Sequence, residues 1–105
     1  MNFEEYQAEA RKTAIYPKAH ILVYPALGLA GEAGEFANKV KKLLRDGAQL
    51  DTRQKLLDEL GDVLWYFAAC ASDLEANLND IALNNIQKLK SRQERDQIKG
   101  SGDNR

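Results

Sequence analysis

This sequence of 105 residues contains little cysteine, histidine or charge imbalance, and each shortage excludes a class of protein. One cysteine cannot form a disulfide framework or a zinc site of paired cysteines within the chain, and it fits a reducing compartment. One histidine leaves no Glu-x-x-His pair of the kind that di-iron helical bundles use. A net charge of −1 provides no basic field to attract nucleic acid. The longest apolar run, residues 63–71, is too short to cross a membrane.

These absences, together with an acidic N-terminus that lacks an apolar signal core, predict a cytoplasmic protein that binds neither nucleic acid nor a membrane. The length predicts one domain, and the scarcity of proline and β-branched residues favours helices. We expect a domain over residues 1–93 and a polar, disordered tail over residues 94–105. Within the domain, the predicted helices are residues 3–16, 25–46, 52–72 and 78–92.

Punctuating residues set the expected helix ends. Asn2 and Asn77 are predicted N-caps, Pro17 is expected to end the first helix, and Gly47 suits the end of the second. The third helix is apolar on all sides from residue 63 to residue 71, which implies burial on more than one side. The sequence therefore predicts an all-α, four-helix bundle subunit that is completed by homo-oligomerisation.

Two acidic turns are the most informative feature of the sequence. Glu32 and Glu35 are three residues apart, as are Glu59 and Asp62, so within each helix the two carboxylates point the same way. Both pairs border an apolar stripe, although ordinary solvated helix faces remain the plain alternative. A glycine in a helix interior costs about 1 kcal/mol relative to alanine. The glycines beside these acids therefore indicate close approach by another helix or by a ligand. These glycines are Gly31, Gly34 and Gly61.

Four carboxylates at the edge of a core repel one another unless a cation lies among them. Ligands that are all oxygen favour Mg²⁺, with Mn²⁺ as a substitute, over zinc. Four negative charges match two divalent ions, and such a pair clamps phosphoryl oxygens during displacement. Basic residues on the same or adjoining faces are candidates for phosphate contacts, although each alone is equally consistent with ordinary surface charge. They are Lys39, Lys42, Lys88 and Arg92.

Together these motifs resemble the MazG-type nucleotide pyrophosphohydrolases, a family of all-α enzymes. The resemblance covers residues 3–92 and rests on segments 28–35, 41–42, 58–66 and 85–89 and on Arg92. It implies Mg²⁺-dependent hydrolysis of (deoxy)nucleoside triphosphates to monophosphate and pyrophosphate, in nucleotide-pool housekeeping, by a dimer or tetramer. By position, the catalytic metal ligands would be Glu32, Glu35, Glu59 and Asp62. Where many members have two adjacent glutamates, this chain has Gly31-Glu32, so which carboxylate activates water stays open, with Glu32 favoured.

The nucleoside site is predicted from a looser set of residues. Position within the family implies that Asn85, Lys88 and Arg92 face the nucleotide, and aromatic or imidazole rings can stack on a base. The predicted nucleoside-binding residues are Asn85, Tyr66, His20 and Trp65, with Tyr16 and Tyr24 as further aromatic candidates. Two other functions remain open: a non-enzymatic helical interaction module, and a phosphohydrolase that cuts a different phosphate bond.

Overall fold

The computed structural model describes residues 1–95, and every regular element in that range is helical. The elements are α1 (Phe3–Arg11), a short 3-10 helix (Lys18–His20), α2 (Val23–Asp46), α3 (Thr52–Asp73) and α4 (Leu78–Glu94). The long helices α2 and α3 form an antiparallel hairpin, α1 packs against α3, and α4 packs against α1. The predicted all-α subunit of four helices is confirmed. Among residues 1–95, no helix combines the length and the apolar character needed to cross a bilayer.

Capping residues fix three helix ends where the sequence predicted them. The Asn2 side chain accepts the backbone N–H of Glu5 at 2.8 Å at the start of α1. The Asn77 side chain accepts the N–H of Asn79 at 2.7 Å at the start of α4. Gly47 follows α2 with a φ of +82°, a conformation that side chains other than glycine rarely adopt. Each cap satisfies backbone groups that a helix end leaves without an intrahelical partner.

The prediction for the first helix is wrong at its C-terminal end, because α1 ends at Arg11 and not at Tyr16. The Thr13 hydroxyl donates to the carbonyl of Ala10 at 2.7 Å, and the backbone N–H of Thr13 bonds to the same oxygen. This local bonding tightens the chain into a turn and competes with helical hydrogen bonds. Pro17 adds a second cause, since the residue before a proline avoids helical backbone angles.

Three other ends differ from the prediction by one or two residues, whereas α3 begins at Thr52 as predicted. The second helix begins at Val23 instead of residue 25, and the third ends at Asp73 instead of residue 72. The fourth ends at Glu94 instead of residue 92, so the first residue of the predicted polar tail is helical. The rest of that predicted tail, from residue 96 onward, lies outside the described residues.

The hydrophobic core is small and lies where α1, the C-terminal half of α3 and the first turn of α4 meet. Its buried apolar residues are Ala68, Ala69, Ala71 and Leu78, and Tyr6 and Ile81 pack against it. Large apolar side chains elsewhere stay open to solvent, among them Leu27, Leu44 and Leu83, which are 71%, 84% and 55% exposed. This exposure is what an incomplete subunit presents, and homo-oligomerisation stays a prediction.

Candidate active site

The facing sides of α2 and α3 carry three kinds of side chain in order along the hairpin. On α3, Lys55, Glu59, Asp62 and Tyr66 follow one another at one-turn spacing over about 16 Å of helix. Because α2 runs antiparallel to α3, the lysines of α2 lie near Lys55 and its acids lie near Glu59 and Asp62. The aromatic start of α2 lies near Tyr66. The hairpin therefore brings cationic, acidic and aromatic groups into one line.

The centre of this line is a cluster of three carboxylates. Glu32 from α2 and Glu59 and Asp62 from α3 each contribute an oxygen, and these atoms all lie within 4.8 Å of one another. Glu35, the fourth predicted ligand, is exposed and does not belong to this group. Its charge nevertheless contributes to the raised pKa of Glu32, so it lies close to the cluster. The structure thus brings together three of the four predicted metal ligands.

The electrostatics of the cluster show an excess of negative charge. Lys39 Nζ donates to Glu59 Oε1 at 2.9 Å, while Glu59 Oε2 is buried and meets no hydrogen-bond donor among residues 1–95. Two carboxylates can share a hydrogen bond only when one of them carries a proton. Such a bond with Glu59, then burial and the neighbouring carboxylates, raises the pKa of Glu32. The hydrogen bond from Lys39 and then that with Glu32 lower the pKa of Glu59.

This arrangement fits a divalent cation. A buried carboxylate oxygen without a donor loses its hydration and gains nothing in return, unless a metal ion or a proton supplies the missing interaction. The donors are carboxylate oxygens alone, which is the set that Mg²⁺ and Mn²⁺ prefer. Glu32, Glu59 and Asp62 could therefore hold a divalent metal ion.

A cavity of about 510 Å³ opens beside the cluster, between the α2–α3 loop and the adjoining helix ends. We call it the lysine cavity; its charged lining residues are Lys39, Lys42, Lys55, Asp46, Asp51, Asp58 and Glu59. Lys39 is paired with Glu59, and Lys55 pairs with Asp51 at 3.1 Å. Both α2 lysines that were predicted to bind phosphate thus line one cavity next to the carboxylates.

An aromatic cavity of about 260 Å³ lies on the opposite side of the cluster. It is lined by Ile15, Tyr16, Pro17, Tyr24, Trp65 and Tyr66. Tyr16 stacks on Tyr24 with ring centroids 5.1 Å apart, and Tyr66 meets the edge of Trp65 at 5.0 Å. Burial first, then Tyr24, and then the charges of Glu32 and Asp62 raise the pKa of Tyr66. This dependence places the aromatic cavity beside the acidic cluster.

The remaining predicted residues lie elsewhere in the subunit. His20 is exposed on the 3-10 helix and does not line the aromatic cavity. Asn85 and Lys88 are exposed on α4, which packs against α1. Arg92 is only 5% exposed. No described residue of α4 lines either cavity, and contacts of these three residues with a nucleotide stay a prediction.

Sequence reasoning missed one neighbour of the site. A methyl group added at Gly28 would overlap the ring carbons of Tyr66, so this glycine lets Tyr66 pack closely against α2. The signal was its position one turn before Glu32, on the same face. On α1, Tyr6 packs against the core, and burial and then the charge of Asp62 raise its pKa.

The glycines beside the acids have no close neighbour within the described subunit. A Cβ atom added at Gly31, Gly34 or Gly61 would meet no atom within 4 Å. Close approach to them by another helix or by a ligand stays a prediction. Among the described glycines, Gly28 is the one whose added Cβ atom would overlap a side chain.

Comparison with known proteins gives two findings. The family model described as the MazG nucleotide pyrophosphohydrolase domain matches residues 25–95, a range that begins near the start of α2 and ends just past α4. The chain is also similar to "Gene 37 protein" of Mycobacterium phage L5, with 48% identity over 114 aligned residues that cover 100% of both chains. No solved structure matches the chain significantly.

Proposed function

The chain belongs to the MazG nucleotide pyrophosphohydrolase family, and from that membership we propose that it hydrolyses (deoxy)nucleoside triphosphates to monophosphate and pyrophosphate. Family membership supports a hydrolase acting on nucleotide pyrophosphate bonds in general; the triphosphate substrate and Mg²⁺ are our proposal. The observation that carries the proposal is the carboxylate cluster around the unsatisfied Glu59 Oε2, with the lysine cavity on one side and the aromatic cavity on the other.

We propose that Glu59 and Asp62 hold Mg²⁺. Glu32 would complete the site as a third ligand, and Glu35 lies nearby. When bound there, the ion would lower the pKa of water and neutralise phosphate charge. Mn²⁺ accepts the same oxygen ligands and would substitute for it. These carboxylates project from two packed helices, which hold catalytic groups more firmly than loops do.

The order of groups along the hairpin supports one orientation for a nucleotide. Its base would stack in the aromatic cavity on Tyr66 and its neighbours, which offer ring faces and thus tolerate more than one base. Its outer phosphates would lie in the lysine cavity, where Lys39 and Lys42 would offset their charge. The α-phosphate would then lie at the carboxylates, about midway along the groove.

The chain's own groups supply the proton handling of the reaction. Water attacks the α-phosphorus, and the bond from that phosphorus to the bridging oxygen breaks, so that pyrophosphate leaves. The attacking water must lose a proton, and the Glu32 carboxylate in the cluster is the group that would accept it. The lysines balance the charge that develops on the leaving pyrophosphate.

The test measures products from a panel of nucleoside triphosphates with Mg²⁺. We expect equal amounts of monophosphate and pyrophosphate, and a fall in kcat of about 100-fold or more in Glu59→Gln and in Glu32→Gln. Glu9→Gln is the matched control, because Glu9 forms an exposed ion pair with Lys12 on α1, away from the groove. Retained activity in both site variants refutes the site assignment. Orthophosphate as the product identifies a phosphohydrolase that cuts another bond.

A further inference from the structure

We propose that Asp73 is a positioning residue that fixes the aromatic cavity where the nucleoside end of the substrate binds. The inference rests on the proposed function, since it concerns the same groove. Its basis is a hydrogen-bond network that joins the last residue of α3 to the segment between α1 and α2.

Three donors converge on the Asp73 carboxylate. Arg11 Nη1 donates to Oδ1 at 2.8 Å, while the Tyr16 hydroxyl and the backbone N–H of Leu22 each donate to Oδ2 at 2.8 Å. The Asp73 side chain is fully buried, at 0% exposure. Hydrogen bonds to a buried charge are shorter and stronger than neutral ones, so this carboxylate holds its three partners in one geometry.

The position of Asp73 indicates a tertiary role. A negative charge in the last turn of a helix opposes the helix dipole, so a carboxylate at the end of α3 costs stability locally. Leu22, whose N–H it accepts, has a φ of +66° and a ψ of −46°. This is a γ-turn closed by the Val23 N–H and the Ile21 carbonyl, and its positive φ is costly for a leucine. The network holds Leu22 in this conformation, and Leu22 is the residue from which α2 starts, without a side-chain cap of its own.

The held segment carries the aromatic rings. Tyr16, which donates to Asp73, also accepts from Arg11 at 3.0 Å and stacks on Tyr24. Tyr24 in turn lies 6.4 Å from Tyr66, ring centroid to ring centroid. A chain of ring contacts therefore runs from Asp73 to the residue that borders the carboxylates. Loss of the Asp73 charge frees Tyr16 and Leu22, and the stacking surface for a base loses its fixed shape.

The network occupies the Tyr16 hydroxyl, the group with which Tyr16 would otherwise hydrogen-bond a base. Its hydroxyl is committed to Asp73 and Arg11, so Tyr16 offers its ring and not a hydrogen bond. Asp73 thus acts on the nucleoside end alone and leaves the lysine cavity, at the other end of the hairpin, unaffected. This separation distinguishes positioning from a general effect on stability.

The experiment compares Asp73→Asn and Tyr16→Phe with wild type in steady-state kinetics and in two binding titrations. Trp65, the chain's one tryptophan, lines the aromatic cavity and reports nucleoside monophosphate binding by its fluorescence. Inhibition by inorganic pyrophosphate with Mg²⁺ probes the lysine cavity. We expect Asp73→Asn to raise KM and the monophosphate Kd about tenfold, with kcat within about twofold and pyrophosphate inhibition unchanged. Tyr16→Phe, which keeps the ring, should shift both in the same direction by less.

Two outcomes overturn the role of Asp73. The first is wild-type KM and Kd in both variants. The second is a loss of kcat and pyrophosphate binding as large as the change in KM and Kd, because that result indicates a merely structural effect. If Asp73→Asn does not fold, Tyr16→Phe decides alone. Wild-type protein that binds monophosphate without hydrolysing triphosphates refutes the proposed function, and the fluorescence titration still judges Asp73. Glu9→Gln should match wild type in every measurement.

Discussion

Gly28→Ala tests the packing of Tyr66 against α2. An added methyl group overlaps the Tyr66 ring, and that ring is confined between Tyr24 and the edge of Trp65. Overpacking of this kind costs about 1–3 kcal/mol, because neighbours must leave their preferred rotamers. Replacing glycine by alanine in a helix contributes about 1 kcal/mol in the opposite direction. We therefore expect a net loss of about 0–2 kcal/mol in the free energy of unfolding.

The matched control is Gly31→Ala, three residues along the same helix. Its new methyl group meets no atom within 4 Å, so only the gain in helix propensity remains, about 0.5–1 kcal/mol. Thermal unfolding at equal protein concentration measures the difference between the two variants. For a domain of this size, about 1 kcal/mol corresponds to a shift in Tm of about 4–8 °C. Gly31→Ala should melt above wild type and Gly28→Ala at or below it.

A double-mutant cycle identifies the cause. In the background Tyr66→Ala the obstructing ring is gone, so Gly28→Ala should become as favourable as Gly31→Ala is in wild type. Gly28→Ala that stabilises the wild-type protein as much as Gly31→Ala does refutes the packing argument. The same result would remove the reason for placing Tyr66 firmly beside the carboxylates.

Two further predictions follow from the charges. In EDTA, Lys39→Met should lower the Tm, since Glu59 loses its ion pair with Lys39. Saturating Mg²⁺ with a nucleotide should narrow that difference in Tm by binding the same carboxylate; a deficit unaffected by Mg²⁺ contradicts a metal at Glu59. Burial raises the pKa of Asp73, but its three donors outweigh burial and lower it overall. The stability this provides is complete above the unfolded pKa, near pH 4, and is lost as pH falls through the folded value. Urea unfolding should therefore show that Asp73→Asn is destabilised at pH 7 and that its deficit shrinks toward pH 2, whereas a deficit independent of pH excludes the ionised carboxylate as the cause.

Local pattern was sufficient for the helices and for the centre of the site. The caps Asn2 and Asn77 act within three residues, so the sequence contains both partners of each hydrogen bond. Glu59 and Asp62 share a face by helical spacing, and a short loop makes α2 antiparallel to α3, which places Glu32 opposite them. The early end of α1 was missed because a threonine hydroxyl competes there with the backbone.

Long-range contacts could not be predicted in the same way. Asp73 meets Arg11 and Leu22 across 62 and 51 residues, and nothing in the local pattern marks it apart from other aspartates. The family resemblance suggested that Lys88 faces the nucleotide, and that stays a prediction, because α4 packs against α1 and no described α4 residue lines the two cavities. Side-chain spacing defines a helix face, but the partner of that face depends on how the helices are arranged in three dimensions.

The exposed apolar residues lead to a prediction about assembly. Burying one leucine side chain contributes about 1.5–3 kcal/mol, and Leu27, Leu44 and Leu83 are each more than half exposed. Together they represent free energy comparable with the whole stability of a small domain, about 5–15 kcal/mol. If subunits bury these side chains in a homo-oligomer, folding and assembly are coupled, and Tm must rise with protein concentration. Sedimentation should give a mass above that of one chain, and a monomer whose Tm is constant over a hundredfold range of concentration contradicts this reasoning.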